Sequence, residues 1–412
     1  MDKVWLRHYP EGVPAEIEVS RYASLVALLD ASLTSFRDRD AYRYMGQTFS
    51  YARIDEMSLA FAAWLQAQGL KKGDRVAVML PNVPQYPIAV AGILRAGMVV
   101  VNVNPLYTPR ELEHQLRDAG AKVLLILENF AHTLQQVRAS VPVEKVILTS
   151  LGELLGFPKA AIVDFVVRRV KKLVPAFELK GTLRFRDALA QGRSRSLQPV
   201  AVGPEDLAVL QYTGGTTGVA KGAMLLHRNL VANVLQCAAW YQPALRRLPP
   251  GEQLVQVCAL PLYHIFGFNT NMMLGSRVGA CNVLIPNPRD LPALLKELSG
   301  IRFHTFPAVN TLFNALANHP AFGSVDWSHL LISVGGGMAV QQATAKLWLQ
   351  KTGCSICEGY GLSETSPTVS CNPTDSHAFT GTIGLPLPGI EMCLLDDDGR
   401  EVPPGTAGEI AV

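Results

Sequence analysis

Runs of apolar residues alternate with amphipathic stretches along the first third of the chain. The pattern predicts a strand and turn over 74–82 (DRVAVMLPN), a helix over 85–97 (QYPIAVAGILRAG), a strand over 99–105 (VVVNVNP), a helix over 109–120 (PRELEHQLRDAG) and a strand over 121–129 (AKVLLILEN). The second helix has proline near its start and glycine at its end, as capped helices do. This repeated β-α-β pattern predicts an α/β fold with doubly wound sheets.

Residues 151–181 break the alternation with a basic amphipathic helix. Its apolar face carries Ile162, Phe165, Val166, Val170 and Leu173, and its other faces carry Arg168, Arg169, Lys171 and Lys172. A surface helix of this kind ordinarily packs on its own domain. The alternative is that it lies on an anionic membrane surface, which predicts peripheral membrane contact through residues 158–175.

The last part of the chain changes to short strands and tight turns. Residues 382–412 contain the hairpin signal DDDGR and end at Val412. We therefore expect two doubly wound β-α-β subdomains, over 1–195 and 196–375, followed by the start of a small β-barrel subdomain over 376–412.

Composition restricts the function classes. The chain has 412 residues, of which 49% are hydrophobic and 17% charged, and its net charge of +3 is too small for a nucleic-acid binder. Its seven cysteines form no framework, and Cys354 and Cys357 have no second pair at metal-ligand spacing, so both are expected to be buried strand residues. The apolar stretch 253–275 contains Pro261 and His264 and is expected to be buried protein, not a membrane span. The N-terminus has no secretory apolar segment, which favours the cytoplasm.

The stretch 211–222, QYTGGTTGVAKG, combines glycine, threonine and lysine at a density that suits a polyphosphate. It supplies bare backbone amides, hydroxyl groups and one cation. It is not a Walker A loop, because Val219 and Ala220 separate Gly218 from Lys221, and it lacks the dinucleotide-binding glycine spacing.

The stretch instead resembles the signature loop of the adenylate-forming enzymes, Tyr-Thr-(Ser or Gly)-Gly-Thr-Thr-Gly-x-(Pro or Ala)-Lys-Gly. Three further segments occur in the order of that family, namely LPLYHIFG at 260–267, SVGGGMAV at 333–340 and EGYGLSETSP at 358–367. Within the family, the chain looks most like the acyl-CoA synthetases, in particular the bacterial long-chain fatty-acid CoA ligases.

The resemblance implies a nucleotide site with magnesium. It assigns phosphate binding to the residues of the signature loop: Thr213, Gly214, Gly215, Thr216, Thr217, Gly218 and Lys221. It assigns the surroundings of the adenine to two glycine-containing segments: Gly335, Gly336, Gly337, Gly359, Tyr360 and Gly361. Thr365 is expected to donate to the α-phosphate of ATP, and Glu364 is expected to hold Mg²⁺.

The resemblance also implies a site for a carboxylate with an apolar tail. His264 is expected beside the reacting carboxylate, where it orients the group and contributes charge. Phe268 aligns with an aromatic gate of a long-chain relative. The other apolar candidates for the acyl pocket are Met272, Met273, Leu274, Phe306, Val309, Leu312 and Phe313, any of which could equally be plain core.

The implied reaction joins a long-chain fatty acid to CoA through an acyl-adenylate, at the expense of ATP. Members of the family continue beyond the position of Val412 into a mobile C-terminal domain, so we expect a large N-terminal domain with impaired activity. Two alternatives stay open, an enzyme that delivers acyl groups to a carrier protein and a non-catalytic nucleotide or acyl sensor. A homodimer is also left open, as is peripheral binding to the inner face of the cell membrane.

Overall fold

The computed structural model describes residues 3–214 and 219–412. Its strands are β1 (Asp40–Tyr44), β2 (Gln47–Ser50), β3 (Arg75–Met79), β4 (Val99–Asn102), β5 (Val123–Leu127), β6 (Lys145–Thr149), β7 (Thr182–Arg184), β8 (Leu207–Thr213), β9 (Lys221–Leu226), β10 (Val255–Cys258), β11 (Cys281–Leu284), β12 (Thr305–Ala308), β13 (Ile332–Gly335), β14 (Ile356–Gly361), β15 (Thr368–Cys371), β16 (Leu385–Pro386), β17 (Cys393–Leu395) and β18 (Glu409–Ala411).

Helices cover the faces of the sheets and connect their strands. The α-helices are α1 (Leu25–Ser35), α2 (Tyr51–Ala67), α3 (Gln85–Arg95), α4 (Pro109–Asp118), α5 (Ala131–Val137), α6 (Lys159–Phe165), α7 (Phe185–Arg193), α8 (His227–Leu245), α9 (Ile265–Gly267), α10 (Leu274–Val278), α11 (Leu291–Leu298), α12 (Asn310–Ala317) and α13 (Gln342–Thr352). Two π-helical segments, Val166–Val170 and Phe268–Met273, continue α6 and α9. Short 3₁₀ turns cover Val4–His8, Val19–Arg21, Glu128–Phe130, Pro320–Ser324 and Ser363–Thr365.

A seven-stranded sheet has the strand order β7-β6-β5-β3-β4-β8-β9. All its neighbouring strands pair in parallel except β8 and β9, which form an antiparallel hairpin at one edge. A nine-stranded sheet has the order β16-β15-β14-β13-β12-β10-β11-β1-β2, and β17 and β18 form a separate two-stranded sheet. The predicted α/β class with two wound sheets and a small β element is therefore confirmed.

The two large sheets do not divide the chain at residue 195. β1 pairs in parallel with β11, and β2 pairs antiparallel with β1, so an early hairpin belongs to the nine-stranded sheet. Conversely, β8 pairs with β4 and completes the first sheet with β9. β16 also pairs with β15 and extends the second sheet past residue 376. Sequence position alone cannot reveal these long-range pairings.

The elements predicted from local patterns are present. Strands β3, β4 and β5 and helices α3 and α4 fall within the predicted ranges. Helix α4 begins with a capping box in which Thr108 and Glu111 satisfy each other's backbone amides. Helix α3 is buried along its whole length. A Cβ on its Gly92 would lie 2.9 Å from the Ser58 carbonyl oxygen, which is why the close packing of α2 against α3 requires glycine there.

The pair Cys354 and Cys357 has the alternative interpretation of a metal site, and the apolar stretch 253–275 has that of a membrane span. Cys354 and Cys357 are both buried, as predicted, and no group of metal-ligating side chains occurs among the described residues. Within residues 3–214 and 219–412, no helix combines the length and the apolar character needed to cross a membrane.

A buried histidine joins α8 to α1. His227 is 2% exposed, and its Nδ1 accepts a hydrogen bond from the Leu25 amide at 3.2 Å. Burial lowers the pKa of His227 to about 4, from the value of 6.5 expected in the unfolded chain. Between these two values the unfolded chain binds more protons than the folded one, so stability falls as the pH falls.

When the pH falls from 6 to 5, His227 takes up a proton in the unfolded chain but not in the folded one. We expect this to lower the free energy of unfolding by about 1 kcal/mol. The His227→Asn variant keeps an acceptor for the Leu25 amide but cannot titrate, so its stability should depend less on pH. Urea unfolding at both pH values measures this. The exposed His377→Asn variant is the control and should keep the pH dependence of the parent chain. An unchanged slope in His227→Asn would contradict the assignment.

Candidate active site

The β8–β9 hairpin carries the signature stretch. In its register Thr213 faces Lys221, the last residue of β8 opposite the first of β9. The imidazole Nε2 of His114 donates to the Ala220 carbonyl oxygen at 2.9 Å, which fixes one side of the connection. Gly214 is described, whereas Gly215, Thr216, Thr217 and Gly218 lie outside the described residues. The hairpin thus places a hydroxyl and an exposed ammonium group side by side at a sheet edge.

The 3₁₀ turn Ser363–Thr365 meets this hairpin. The Thr213 hydroxyl donates to Oε1 of Glu364 at 3.3 Å, so two residues 151 positions apart are in contact. Glu364 is exposed and has no cationic partner among the described residues. Magnesium is commonly held by one or two carboxylates together with phosphate oxygens of a substrate. A single free carboxylate beside the predicted phosphate loop fits that requirement.

Thr365 is engaged within its own turn. Its hydroxyl is 2.6 Å from the Pro367 carbonyl oxygen and 3.0 Å from that of Leu362, and it accepts from the Leu362 amide at 2.9 Å. A hydroxyl group has one proton to donate. Donation to a phosphate would therefore replace its bond to a backbone carbonyl, and the assigned role of Thr365 stays a prediction.

The two glycine-containing segments lie side by side in the nine-stranded sheet. Gly335 at the end of β13 faces Glu358 of β14, and the segments continue from there as Gly336–Gly337 and Gly359–Gly361. A Cβ at Gly336 would lie 3.0 Å from the Phe266 ring and 3.2 Å from the Gly359 carbonyl oxygen. Gly337 has φ of +76°, which a side chain would strain. Glycine at these positions keeps open a space that a flat group could enter beside the half-exposed Tyr360.

Glu358 fixes the end of the glycine segment. Its buried carboxylate accepts a hydrogen bond from the Val340 amide at 3.1 Å. Burial raises the pKa of Glu358 above its usual value, and the bond from Val340 opposes that shift. The backbone of Glu358 is held in turn, because its carbonyl oxygen accepts from the backbone amide and the side-chain amide of Asn372. The glycine segment 333–340 is therefore anchored at its last residue, Val340, by the carboxylate of Glu358.

His264 precedes α9 and lines the same space. Its Nδ1 accepts from the Phe266 amide at 3.3 Å, so the proton of the neutral ring sits on Nε2. Burial lowers the pKa of His264 below its usual value. At pH 7 the ring is therefore neutral and offers an N–H donor. The orienting and charge roles that the resemblance assigns to His264 stay predictions.

A cavity of about 70 Å³ joins these segments. Part of its lining is polar or glycine surface, from His264, Gly336, Gly337 and residues 359–363. The rest of its lining includes side chains from α8, β13, β15 and the segment after β16: Cys237, Trp240, Tyr241, Val334, Cys371 and Leu387. One cavity therefore offers both backbone and glycine surface and an apolar wall.

The predicted acyl-pocket residues are distributed over several places. Val309 is close to the site, since its Cγ1 is the nearest atom to a Cβ built on Gly337, at 3.8 Å. Phe313 packs on Trp348 with ring centroids 4.8 Å apart, inside the core that also contains Phe306 and, at its margin, Leu312. Met272 lines a separate cavity of about 10 Å³. Phe268 is fully buried in the π-helical segment, and none of Phe268, Met272, Leu312 and Phe313 lines the larger cavity.

The apolar wall from α8 was missed by sequence reasoning. Cys237, Trp240 and Tyr241 are spaced i, i+3 and i+4 and therefore share one helix face. The indole of Trp240 donates to the Asn372 carbonyl oxygen at 3.0 Å and packs edge-on against Tyr9. One feature of the sequence could have indicated these residues. The helix starts directly after the signature hairpin and so passes close to the site.

Comparison with known proteins gives one family and several near relatives. The family model described as AMP-binding enzyme matches residues 29–412. The chain is 53% identical to a long-chain-fatty-acid–CoA ligase of Escherichia coli O6:H1 over 414 residues, which cover 100% of this chain and 73% of the relative. It is 34% identical to a protein of the same name from Bacillus subtilis, over 100% of this chain and 72% of the relative.

Solved structures resemble the fold. A long-chain-fatty-acid–CoA ligase from Archaeoglobus fulgidus superimposes with a TM-score of 0.79 and 25% identity, covering 98% of this chain and 76% of the other. An anthranilate CoA ligase in complex with anthranoyl-AMP superimposes with a TM-score of 0.81 and 23% identity, covering 96% and 71%. The second likeness concerns the fold alone.

Proposed function

The chain belongs to the AMP-binding enzyme family, and we propose that it acts as a long-chain fatty acid–CoA ligase. The proposed substrates are a long-chain fatty acid, ATP and CoA. The observation that carries the proposal is a cavity lined both by the glycine segments and by the apolar wall of α8. A fatty acid needs an apolar space of this kind for its chain and a polar end for its carboxylate, and relatives at 53% and 34% identity bear the same function in their names.

The first step forms an acyl-adenylate. A carboxylate oxygen of the fatty acid attacks the α-phosphorus of ATP, a new P–O bond forms, and the bond to the pyrophosphate leaving group breaks. Negative charge spreads over the phosphate oxygens during this transfer, so fixed positive groups and donors lower its barrier. Lys221 and Thr213 lie at the hairpin where the β- and γ-phosphates are expected. Bound at Glu364, Mg²⁺ would neutralise part of the phosphate charge.

His264 would orient the carboxylate. Since the ring is neutral with its proton on Nε2, it can donate one hydrogen bond to a carboxylate oxygen without neutralising the nucleophile. The carboxylate is ionised at pH 7 and needs no base. His264 therefore acts by position, with the second oxygen left free to attack.

The second step transfers the acyl group to a thiol. The thiol of CoA gives up its proton, the resulting thiolate attacks the acyl carbon, AMP leaves with the electron pair of the broken C–O bond, and a thioester remains. The phosphopantetheine arm of a carrier protein offers the same thiol chemistry, so carrier-protein acylation is the competing proposal. Only the identity of the acceptor separates the two.

We propose a cytoplasmic enzyme that meets its fatty acid at an anionic membrane surface. Long acyl chains partition into lipid, and residues 158–175 combine basic and apolar side chains. A homodimer stays a prediction, to be tested by the mass of the protein in solution.

We expect exchange of labelled pyrophosphate into ATP that depends on fatty acid and rises from acetate to palmitate, because each buried methylene contributes about 0.8 kcal/mol. Benzoate is the control for a carboxylate without a long chain. Mass spectrometry then detects the thioester after CoA is added. Exchange without CoA thioester, but with acylation of a carrier protein, would favour the competing acceptor. No exchange with any acid, together with no binding of a long-chain acyl-adenylate analogue, would contradict the proposed chemistry.

A further inference from the structure

The segment that follows β6 exposes large apolar side chains. Helix α6 and its π-helical continuation run from Lys159 to Val170. Five apolar residues in and beside it are more than half exposed: Phe157 (93%), Ile162 (59%), Phe165 (61%), Val170 (63%) and Leu173 (51%). We call this set the outer face. An apolar group of this size, concentrated in 17 consecutive residues, is unusual on a surface that meets only water.

The inner side of the same helix is firmly attached. Asp164 accepts from the Ser150 hydroxyl at 2.8 Å and from the Gly152 amide at 2.9 Å. Arg168 donates twice to the buried Glu128, at 2.8 and 2.7 Å. Val167 is 7% exposed and completes the inner contact. The orientation of the helix is thus set by its inner contacts, and the outer face is not needed to hold it in place.

The charges beside the outer face are positive and unpaired. Arg169, Lys171 and Lys172 are exposed, and none of them takes part in an ion pair among the described residues. Arg168 does not belong to this group, because it is already paired with Glu128. The only acidic side chain of the helix, Asp164, points to the inner side. The outer face therefore combines apolar groups with free cations, the combination that binds an anionic lipid surface.

We propose that the outer face docks on an anionic phospholipid bilayer, with the side chains of Phe157, Ile162, Phe165, Val170 and Leu173 among the lipid headgroups and Arg169, Lys171 and Lys172 on the lipid phosphates. The inference rests on the proposed function only for the substrate that the bilayer would supply, a long-chain fatty acid. The inner contacts present the outer face as a rigid surface, so docking needs no rearrangement of the helix.

The topology relates the docking helix to the active-site hairpin. β6 and β8 run parallel in the same sheet, through the parallel pairings of β5, β3 and β4. The chain therefore leaves both strands at the carboxyl ends of the parallel strands, toward α6 after β6 and toward the signature hairpin turn after β8.

Co-sedimentation with vesicles tests the docking surface directly. The chain is mixed with vesicles of phosphatidylcholine alone and with vesicles that also contain phosphatidylglycerol. We expect binding to the anionic vesicles and much weaker binding to the neutral ones. Each Lys or Arg near an anionic surface strengthens binding about fivefold, so replacing Arg169, Lys171 and Lys172 by glutamine should weaken it about a hundredfold. Lys296→Gln with Lys346→Gln, exposed cations on α11 and α13, is the control and should bind like the parent chain.

A second variant tests the apolar side chains of the outer face. Phe157→Ser with Phe165→Ser keeps all cations and should weaken vesicle binding about tenfold or more, since burial of a phenylalanine contributes about 1.5–3 kcal/mol. Circular dichroism checks that these exposed changes leave the fold intact. Equal binding of the parent chain and the glutamine variant would overturn the docking surface. A parent chain that binds neither kind of vesicle would also overturn it, as would one that dimerises through the outer face without binding lipid.

Vesicle-free assays separate this inference from the proposed function. The docking variants should keep fatty-acid-dependent pyrophosphate exchange when the acid is supplied in solution and should lose exchange only when the acid is supplied in anionic vesicles. A parent chain that binds anionic vesicles but shows neither pyrophosphate exchange nor binding of an acyl-adenylate analogue would refute the ligase proposal and leave the docking surface standing.

Discussion

Replacing Lys221 and Glu364 together by alanine is expected to weaken the binding of Mg-ATP by at least about a hundredfold. The hairpin register sets Lys221 opposite Thr213, and the Thr213 hydroxyl contacts Glu364, so the two charges converge on one place. Each charged hydrogen bond contributes about 1.5–3 kcal/mol, and the loss of two such contacts multiplies in the dissociation constant. Isothermal titration calorimetry with ATP and magnesium measures the change.

The single variants separate the two charges. Glu364→Gln keeps the size of the side chain and removes its charge, so it should weaken magnesium-dependent binding and leave magnesium-free ATP binding nearly unchanged. Lys221→Ala should weaken both. The matched control is Lys346→Ala with Glu11→Ala, which removes one exposed charge of each sign elsewhere on the surface. If the double variant binds Mg-ATP as tightly as the parent chain, the hairpin and Glu364 do not take part in phosphate binding.

The parts of the fold that could be predicted from the sequence depend on few neighbouring residues. The capping box of α4 needs only Thr108 and Glu111. The β3–α3–β4 unit follows from apolar runs separated by turn residues. The signature stretch likewise fixes its own geometry, because a short antiparallel connection brings its first threonine opposite its lysine. In each case the residues that determine the structure are within one element or one turn.

The parts that could not be predicted depend on distant contacts. The pairing of Tyr42 with Asn282 joins strands from opposite thirds of the chain, and neither strand carries a sign of its partner. The wall of the cavity posed a different difficulty, because a cavity lining and a packed core are both apolar. Phe313 and Cys237 are both apolar residues in helices, yet Phe313 packs against Trp348 whereas Cys237 lines the cavity.

The helix after β6 shows a third limit. A regular helical period puts Val166 on the apolar face with Ile162 and Phe165. The structure has a π-helical turn at Val166–Val170. Val167 and Arg168 follow Asp164 at i+3 and i+4 and share its inner side, where Val167 is buried and Arg168 reaches Glu128. The sequence could supply the basic and apolar composition, but the division into an inner and an outer side needed the structure.

Enlarging one side chain of the cavity wall should shorten the acids that the enzyme accepts. Cys237→Met adds atoms to the apolar wall of the cavity. Each methylene of the fatty acid that is displaced loses about 0.8 kcal/mol, so excluding about three of them lowers kcat/KM for palmitate about fiftyfold. Octanoate should be affected little, because its shorter chain needs less of the cavity. Pyrophosphate exchange across a series of acids measures the change.

The same substitution at a second buried cysteine distinguishes chain-length selection from general damage. Cys281 lies in β11, is 4% exposed and does not line the cavity. Cys281→Met overpacks a filled core, which typically costs 1–3 kcal/mol of stability, so it should lower the unfolding temperature and reduce exchange with all acids in proportion. Cys237→Met should do the opposite, with a near-normal unfolding temperature and a preference moved toward shorter acids. A uniform loss with every acid in Cys237→Met would show that the α8 wall supports the fold and does not measure the acyl chain.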